Sequence, residues 1–192
     1  MLHADFTLAH QVTLNGLALA ECAIILARIF PTHPLSSTIL AALAPSEPQH
    51  SLRITPAFLL GSALTIAGAS FRIWAFRTLG ALFTGEVSLR RDHALVTRGP
   101  YALVRHPSYT GFAGVVVGST LALLVSDGAY AAQAPRWVRA AAWAFAGWRM
   151  VTALVVLPRR IVREDEMLRS EFGEEWDAWA LKTPYRVFPY VW

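Results

Sequence analysis

The segment TPAFLLGSALTIAGASFRIWAFRTL, residues 55–79, decides the fold class because it is long, apolar and nearly free of charge. Its only charged residues, Arg72 and Arg77, lie near its C-terminal end, where long side chains reach the membrane surface. A helix of roughly 20 apolar residues crosses a hydrocarbon core of about 30 Å. Similar segments at residues 6–30, 107–125 and 137–157 bring the prediction to four membrane-spanning helices, with a weaker fifth excursion at residues 34–44.

The composition of the whole chain favours the same fold class, an all-α polytopic membrane helix bundle. Hydrophobic types form 55% of the 192 residues and charged types only 16%, whereas soluble domains contain about 25% charged residues. The net charge of +4 arises from basic residues scattered between apolar runs, which argues against a nucleic-acid-binding module. The single cysteine, Cys22, excludes an intrachain disulfide and a multi-cysteine metal site.

The distribution of Lys and Arg predicts the topology, because cytosolic connections carry an excess of these residues. The connection at residues 80–105 holds four arginines and the tail after Pro158 holds six basic residues, whereas each of the other two connections holds one. Both basic segments are therefore expected in the cytosol, and with four spans the N-terminus as well. Glu21 and Arg149 are the ionisable residues expected deepest in the membrane, and the sequence assigns them no role.

Two polar segments contain most of the residue types that carry chemistry. The first, GEVSLRRDHALVTRGPYALVRHPSYTG at residues 85–111, combines two histidines and two tyrosines with a Gly-Pro turn. The second, residues 159–182, predicts an amphipathic helix that lies along the membrane surface or caps the bundle. Pro158 is expected to stop or kink the preceding helix. The apolar face of the amphipathic helix would contain Ile161, Leu168, Phe172, Trp176 and Trp179.

Each pattern also has an ordinary structural interpretation. Arg160 and Glu164 are four residues apart, and on their own they fit a surface ion pair worth at most about 0.5 kcal/mol. His106 fits a helix cap before Pro107, and His93 fits a solvated loop residue. The sequence has no HxxxH pair, no GxSxG motif and no strand followed by GxGxxG, which argues against three common classes of enzyme site.

The motif RHPSYTG at residues 105–111, preceded by HALVT at 93–97 and GPY at 99–101, resembles the cofactor region of the isoprenylcysteine carboxyl methyltransferase family. The tail is similar to the same family, since Arg160, the acidic pair at 164–165 and FGEEW at 172–176 keep its order and spacing. The RHPxYxG element alone also resembles membrane sterol reductases and phospholipid methyltransferases. Its combination with the acidic pair and the aromatic tail is what makes the resemblance specific.

The resemblance implies a site for the methyl donor S-adenosyl-L-methionine in the C-terminal part of the chain. Residues 1–79 would form N-terminal transmembrane helices, and residues 80–192 would form a cofactor-binding catalytic core, within a single membrane domain. Arg160 would bind the substrate and, with Glu164, act in catalysis. The donor would be bound by Glu86, His93, Ala94, Leu95, Val96, Tyr101, His106, Pro107, Ser108, Tyr109 and Glu164. Two positions depart from the family pattern: Glu86 replaces a Gln of the human-type enzymes, and Asp165 replaces the second Glu of the pair.

The implied reaction is methyl esterification of a carboxylate on a lipophilic acceptor, such as a C-terminal prenylcysteine. The expected partners are the lipid bilayer and a prenylated protein terminus or a small prenylcysteine-like molecule, without nucleic acid or metal. The protein would reside in the endoplasmic reticulum membrane if its source is a eukaryote, and in the plasma membrane if it is a prokaryote, with its catalytic loops in the cytosol. The alternatives are an NADPH-dependent sterol-type reductase, a phospholipid or small-lipid methyltransferase, and a lipid-binding scaffold. The reductase would require more basic residues for the 2′-phosphate and a larger bundle.

Overall fold

The computed structural model describes residues 2–44, 54–82, 94–126 and 134–191, leaving aside the side chains of residues 2–14, 17 and 81. All regular elements in these ranges are helical, as the sequence predicts. Short 3-10 turns occupy Gly80–Leu82 and Gly99–Ala102, and π turns occupy Leu121–Val125 and Thr152–Val156. The α-helices are α1 (Leu2–Ile29), α2 (Pro34–Leu43), α3 (Pro56–Leu79), α4 (Pro107–Thr120), α5 (Arg136–Val151), α6 (Leu157–Phe172) and α7 (Glu174–Lys182).

Three helical stretches are long and apolar enough to cross a membrane: Pro56–Leu79, Pro107–Val125 and Arg136–Phe172. They coincide with the second, third and fourth predicted spans, and they agree with an integral membrane protein. The first predicted span coincides with α1, but the side chains of residues 2–14 lie outside the described part, so its crossing stays a prediction. The excursion at residues 34–44 forms only the ten-residue α2, about 15 Å long, which is too short to cross.

The chain divides into two compact units, of which the first contains Met1–Ser62 and Gly118–Ala146. Ile24 of α1 and Ala134 form its buried core, against which α2 packs through Leu40 and Leu43. The hydroxyls of Thr55 and Ser126 lie 2.6 Å apart at the edge of this unit, and the free Cys22 is exposed. The second unit contains Ala63–Val117 and Gly147–Trp192. The expected single domain with a division after residue 79 stays a prediction.

In the second unit, α3 and α4 pack backbone against backbone. A Cβ atom on Gly68 would lie 2.6 Å from the carbonyl oxygen of Gly111, and one on Gly111 would lie 2.5 Å from that of Gly68. Gly114 also faces Gly68, so three glycines allow the backbones of the two helices to approach closely. The contact holds the start of α4 beside Arg72 of α3, whose Nη1 donates to the carbonyl of Ser108 at 3.1 Å.

The helix that contains α5 and α6 continues through Pro158, so the expected stop is absent. Just before this proline the helix widens into the π turn Thr152–Val156, where the N–H of Leu157 bonds to the carbonyl of Thr152, five residues earlier. A widened turn relieves the crowding that a proline ring causes in a regular helix. The 37 residues of Arg136–Phe172 extend about 55 Å, so the helix reaches well beyond a hydrocarbon core of about 30 Å.

The prediction of a single amphipathic helix at residues 159–182 is wrong in one respect: the chain forms two helices there, separated at Gly173. This glycine has a φ of 51°, a conformation that ends helices and that glycine adopts most easily. Ile161 is buried on α6, whereas Trp179 is buried on α7, where it packs against Ala75 and Tyr101. The indole N–H of Trp179 donates to the carbonyl of Tyr101 at 3.1 Å. The fold thereby places the 3-10 turn of residues 99–102 against α7.

Candidate active site

His106 lies at the centre of the candidate site, immediately before the proline that begins α4. Its Nε2 is 2.9 Å from Oδ1 of Asp165, and its Nδ1 is 3.4 Å from Oε2 of Glu164. Only 6% of the histidine is exposed. Because each ring nitrogen faces a carboxylate oxygen, the ring satisfies both contacts only as an imidazolium, which carries a proton on each nitrogen. The cap interpretation of His106 therefore misses its main contacts.

The protonation of His106 follows from a balance between burial and two carboxylates. Burial by itself disfavours the charged ring and lowers its pKa. The hydrogen bonds and negative charges of Asp165 and Glu164 outweigh burial, and the pKa of His106 is raised above its ordinary value. The imidazolium is consequently stabilised at neutral pH.

The carboxylate of Glu164 contacts three side chains. Oε1 accepts from the hydroxyl of Tyr109 at 2.5 Å and from Nε of Arg160 at 3.0 Å, while Oε2 faces His106. The rings of His106 and Tyr109 stack at 5.8 Å, and Cζ of Arg160 lies 6.0 Å from the centroid of the Tyr109 ring. The predicted Arg160–Glu164 pair is confirmed, and its place within this group distinguishes it from an isolated surface pair. The side chains of Glu164 and Arg160 keep 19% and 28% exposure, so a ligand has access to them.

Tyr101 is buried in the 3-10 turn that precedes α4. Burial, together with the negative charge of Glu164, raises the pKa of its hydroxyl well above the ordinary value. The phenol therefore stays neutral at physiological pH and retains its proton for hydrogen bonding.

The structure brings together four predicted site residues, His106, Tyr109, Arg160 and Glu164, within one continuous set of contacts. Pro107 is fully buried, and Ser108 presents its carbonyl to Arg72.

Of the predicted donor-binding stretch at residues 93–96, the described residues 94–96 form no regular secondary structure. Leu95 and Val96 pack against the core around Ala75 and Tyr101, while Ala94 is exposed. Hydrogen bonds between the backbone groups of residues 94–97 and other described backbone groups are absent. Glu86 and His93 lie outside the described residues. The functional roles of all these residues stay predictions.

Asp165 is the residue that sequence reasoning missed. It is 4% exposed and accepts from Arg105 at 3.3 Å, from Arg186 at 2.9 Å and from His106 at 2.9 Å. The sequence shows it beside Glu164, but it offers no spacing signal that relates Asp165 to Arg186 or Arg105. Only the tertiary fold brings these three residues together.

The chemistry available at the site is that of a cationic cluster. Two carboxylates, Glu164 and Asp165, face three arginines and the imidazolium of His106. Such an excess of positive charge favours an anionic group on a ligand that enters the site. The described ranges contain no group of three His, Cys, Asp or Glu side chains that could hold a metal ion.

Comparisons with known proteins identify the family of this chain. A family model described as the isoprenylcysteine carboxyl methyltransferase (ICMT) family matches residues 60–170. The chain is 32% identical over 133 residues to protein-S-isoprenylcysteine O-methyltransferase B of Arabidopsis thaliana, a match that covers 68% of this chain and 58% of that protein. It is 39% identical over 77 residues to protein-S-isoprenylcysteine O-methyltransferase of Saccharomyces cerevisiae, covering 39% of this chain and 32% of that protein.

The chain spans about half the length of the curated relatives from plants that it matches. The family match nevertheless covers more than half of the chain and contains the motif at residues 105–111 together with Arg160, Glu164 and Asp165. The protein therefore belongs to the isoprenylcysteine carboxyl methyltransferase family.

Proposed function

We propose that the protein is a membrane-embedded methyltransferase that uses S-adenosyl-L-methionine to esterify the carboxylate of a lipophilic acceptor, such as a C-terminal prenylcysteine. The observation that carries this proposal is the cluster in which Glu164 joins His106, Tyr109 and Arg160. Relatives that match this part of the chain are named protein-S-isoprenylcysteine O-methyltransferases. The chain itself supplies the cationic, partly open site that a carboxylate substrate requires.

The residues around the cluster fit the chemistry of the proposed donor. Its ammonium and ribose hydroxyls need acceptors, which Glu164 can provide, and its adenine needs an apolar wall with backbone contacts. Leu95 and Val96 offer that wall, and the backbone around them forms no hydrogen bond with other described backbone groups. The rings of Tyr101 and Tyr109 suit a neighbouring cation. When bound, the donor supplies an electrophilic methyl group on a positively charged sulfur.

Arg160 is the proposed site for the acceptor carboxylate. Its Nε donates to Glu164, which fixes the plane of the guanidinium and leaves the outer Nη pair to bind a second carboxylate. A carboxylate acceptor is already ionised at neutral pH, so the reaction needs no general base. Alignment of the two reactants and exclusion of water are the contributions that the protein has to make.

The location of the site relative to the membrane follows from charge and helix length. α6 carries most of the charged residues of the long helix Arg136–Phe172, so we place α6 and the connection before α4 on the cytosolic side. In a eukaryotic cell the proposed compartment is the endoplasmic reticulum membrane. The donor would then enter from the cytosol, and the lipid part of the acceptor would approach through the bilayer.

The decisive experiment measures donor binding and methylation with the protein purified in detergent. We expect calorimetry to detect binding of S-adenosylhomocysteine, and we expect N-acetyl-S-farnesylcysteine to be methylated. His106→Ala, Tyr109→Ala and Glu164→Ala should each weaken the binding, whereas Asp177→Ala on the exposed part of α7 should not. A wild-type protein that binds NADPH but no S-adenosylhomocysteine would contradict the proposal, and unchanged affinity in all three variants would contradict the site.

A further inference from the structure

The segment after α7 runs back along the start of the candidate site. The backbone N–H groups of Arg105 and His106 donate to the carbonyls of Tyr185 and Arg186 at 2.9 and 2.8 Å. The hydroxyl of Thr110 donates to the carbonyl of Val187 at 2.6 Å. We call residues 183–187 the C-terminal clasp. Through these bonds the clasp lies alongside residues 105–110, the segment that contains His106.

Two arginines connect the clasp to Asp165 of α6. Arg105 donates through Nη1 to the carbonyls of Thr183 and Pro184, both at 3.1 Å, and through Nη2 to Asp165 at 3.3 Å. Arg186, a member of the clasp, donates through Nε to the same Asp165 oxygen at 2.9 Å. The second oxygen of Asp165 faces His106. Asp165 therefore joins the clasp, α6 and the histidine through one carboxylate.

From these contacts we infer that Asp165 is a positioning residue, which holds His106 through Nε2 so that Nδ1 faces Glu164, and that the clasp holds Asp165 in place. This inference rests on the proposed function of Glu164. Asp165 acts through His106, since both of its oxygens are already engaged within the protein. Arg186 lies beyond the region that the family model matches, so the matched region alone does not contain the contact between the clasp and Asp165.

The physical argument concerns the proton on His106. With Asp165 present, the charged ring donates through Nε2 to Asp165 and faces Glu164 with Nδ1 at 3.4 Å, and both contacts are attractive. An asparagine at position 165 removes one negative charge and favours the neutral ring. A neutral ring keeps only one N–H, so it cannot donate to position 165 and to Glu164 at once. Glu164 would then lose the positive charge that faces its Oε2, and its orientation would loosen.

The first test measures the titration of His106 itself by NMR of histidine-labelled protein, with the signal assigned from His106→Gln. The groups that face this ring are Glu164 and Asp165 on α6, Arg105 and Tyr109 on its own segment, and Arg186 in the clasp. We expect Asp165→Asn to lower the titration midpoint and Asp165→Glu to restore it in large part. Asp177→Asn, the same change in an exposed ion pair, should leave the midpoint unchanged. A wild-type midpoint in Asp165→Asn would overturn the inference.

The second test uses a milder variant that leaves no buried carboxylate without a cation. Arg186→Gln removes one contact to Asp165 while Arg105 and His106 remain. We expect the Kd for S-adenosylhomocysteine to rise about 3- to 10-fold, less than for the direct loss of a charge-assisted contact, because Arg186 acts on the donor site only through Asp165 and His106. Arg169→Gln, which breaks the exposed pair with Asp177, is the matched control and should leave this Kd unchanged. Equal affinities in the two variants would overturn the role of the clasp.

The two tests separate failure of this inference from failure of the proposed function. If the wild-type protein binds no S-adenosylhomocysteine, the proposed function fails, and the NMR titration still decides whether Asp165 controls His106. If the wild-type protein binds the donor and methylates the acceptor while Asp165→Asn titrates like the wild type, the inference fails alone.

Discussion

Two groups of ionic contacts lie on the same helix and have opposite surroundings. Near the end of α6, Arg169 contacts Asp177 of α7 at 2.8 Å, with 63% and 46% of the two side chains exposed. About one turn earlier, Glu164 and Asp165 make contacts of 2.9 to 3.4 Å with His106 and three arginines, mostly away from solvent. The exposed pair has the shortest distance of all. Distance alone would therefore rank it first.

Burial and shared partners reverse that ranking. An exposed pair is screened by water and salt and contributes about 0.2 to 1 kcal/mol. In a buried group, removal of one partner leaves an uncompensated charge, which costs about 3 to 5 kcal/mol. The same contact type is thus a minor surface feature at Asp177 and a determinant of the site at Glu164. The predictions below test this contrast from its largest expected effect to its smallest.

The largest effect is expected for Glu164→Gln. This change leaves the imidazolium of His106 and the guanidinium of Arg160 without their shared carboxylate, so turnover should fall by more than about 1000-fold. Glu171→Gln, an exposed position on the same helix, serves as the control for loss of a charge. Steady-state methylation assays compare the two variants. If the two variants lose activity equally, the loss of a negative charge on the helix explains the effect, and the contacts of Glu164 do not.

A smaller effect, confined to the acceptor, is expected for Arg160→Lys. Lysine keeps the charge but loses the planar fork, so turnover should fall about 30- to 1000-fold, which corresponds to about 2 to 4 kcal/mol. The affinity for S-adenosylhomocysteine should change little, because Arg160 is assigned to the acceptor carboxylate. Methylation rates and donor titrations of the same preparation separate the two effects. If Arg160→Lys keeps nearly wild-type turnover, Arg160 does not bind the acceptor and forms only a surface ion pair with Glu164.

The third prediction concerns pH and is intermediate in size. Because the pKa of His106 is raised in the folded protein, its charged contacts contribute full stability below the unfolded-state pKa of about 6.5. That contribution is lost as the pH rises through the higher folded-state pKa. The Tm should accordingly decline with rising pH in this window, and the decline should be weaker in His106→Gln. His33→Gln, at the exposed start of α2, should retain the wild-type profile. Identical profiles in all three proteins would mean that His106 is not charged.

The smallest effect is expected for Asp177→Asn. The loss of this exposed pair should lower the free energy of unfolding by less than about 1 kcal/mol and leave methylation unchanged. Denaturant titration and the methylation assay measure both quantities. A large loss of either would show that short distance outweighs burial in this protein, which would break the comparison.

Much of the fold could be predicted from local sequence, because a long apolar run by itself indicates a membrane-spanning helix. The runs at residues 55–79 and 107–125 agree with α3 and with α4 and its π turn almost to the residue. The break at Gly173 was missed because the apolar spacing from Ile161 to Trp179 continues across it. For Pro158 the sequence allowed either a stop or a kink, and it could not indicate the π turn before the proline because such a turn leaves no periodic signal.

The site was accessible to sequence analysis only where the motifs are local or familiar. RHPSYTG and the Arg160–Glu164 spacing identified four residues that the structure brings together. Asp165 was noted only as a departure from the family pattern, and Arg186 only as a basic residue of the tail. Their contacts join positions 21 to 60 residues apart, and such contacts depend on how α6, α7 and the clasp fold over one another.

The π turn at Thr152–Val156 also determines the angular phase of the site. Each residue of an α-helix turns the chain by about 100°, and a π turn holds one residue more than an α turn. The same residues wound as a regular helix would rotate Arg160, Glu164 and Asp165 by about that angle relative to residues 147–151. Deletion of one residue within the turn would remove the irregularity and preserve the phase, whereas forcing the turn into α geometry without a deletion would carry Glu164 away from His106. A backbone irregularity of five residues, which precedes all the charged site residues of α6, thus determines the direction in which α6 presents Glu164 and Asp165.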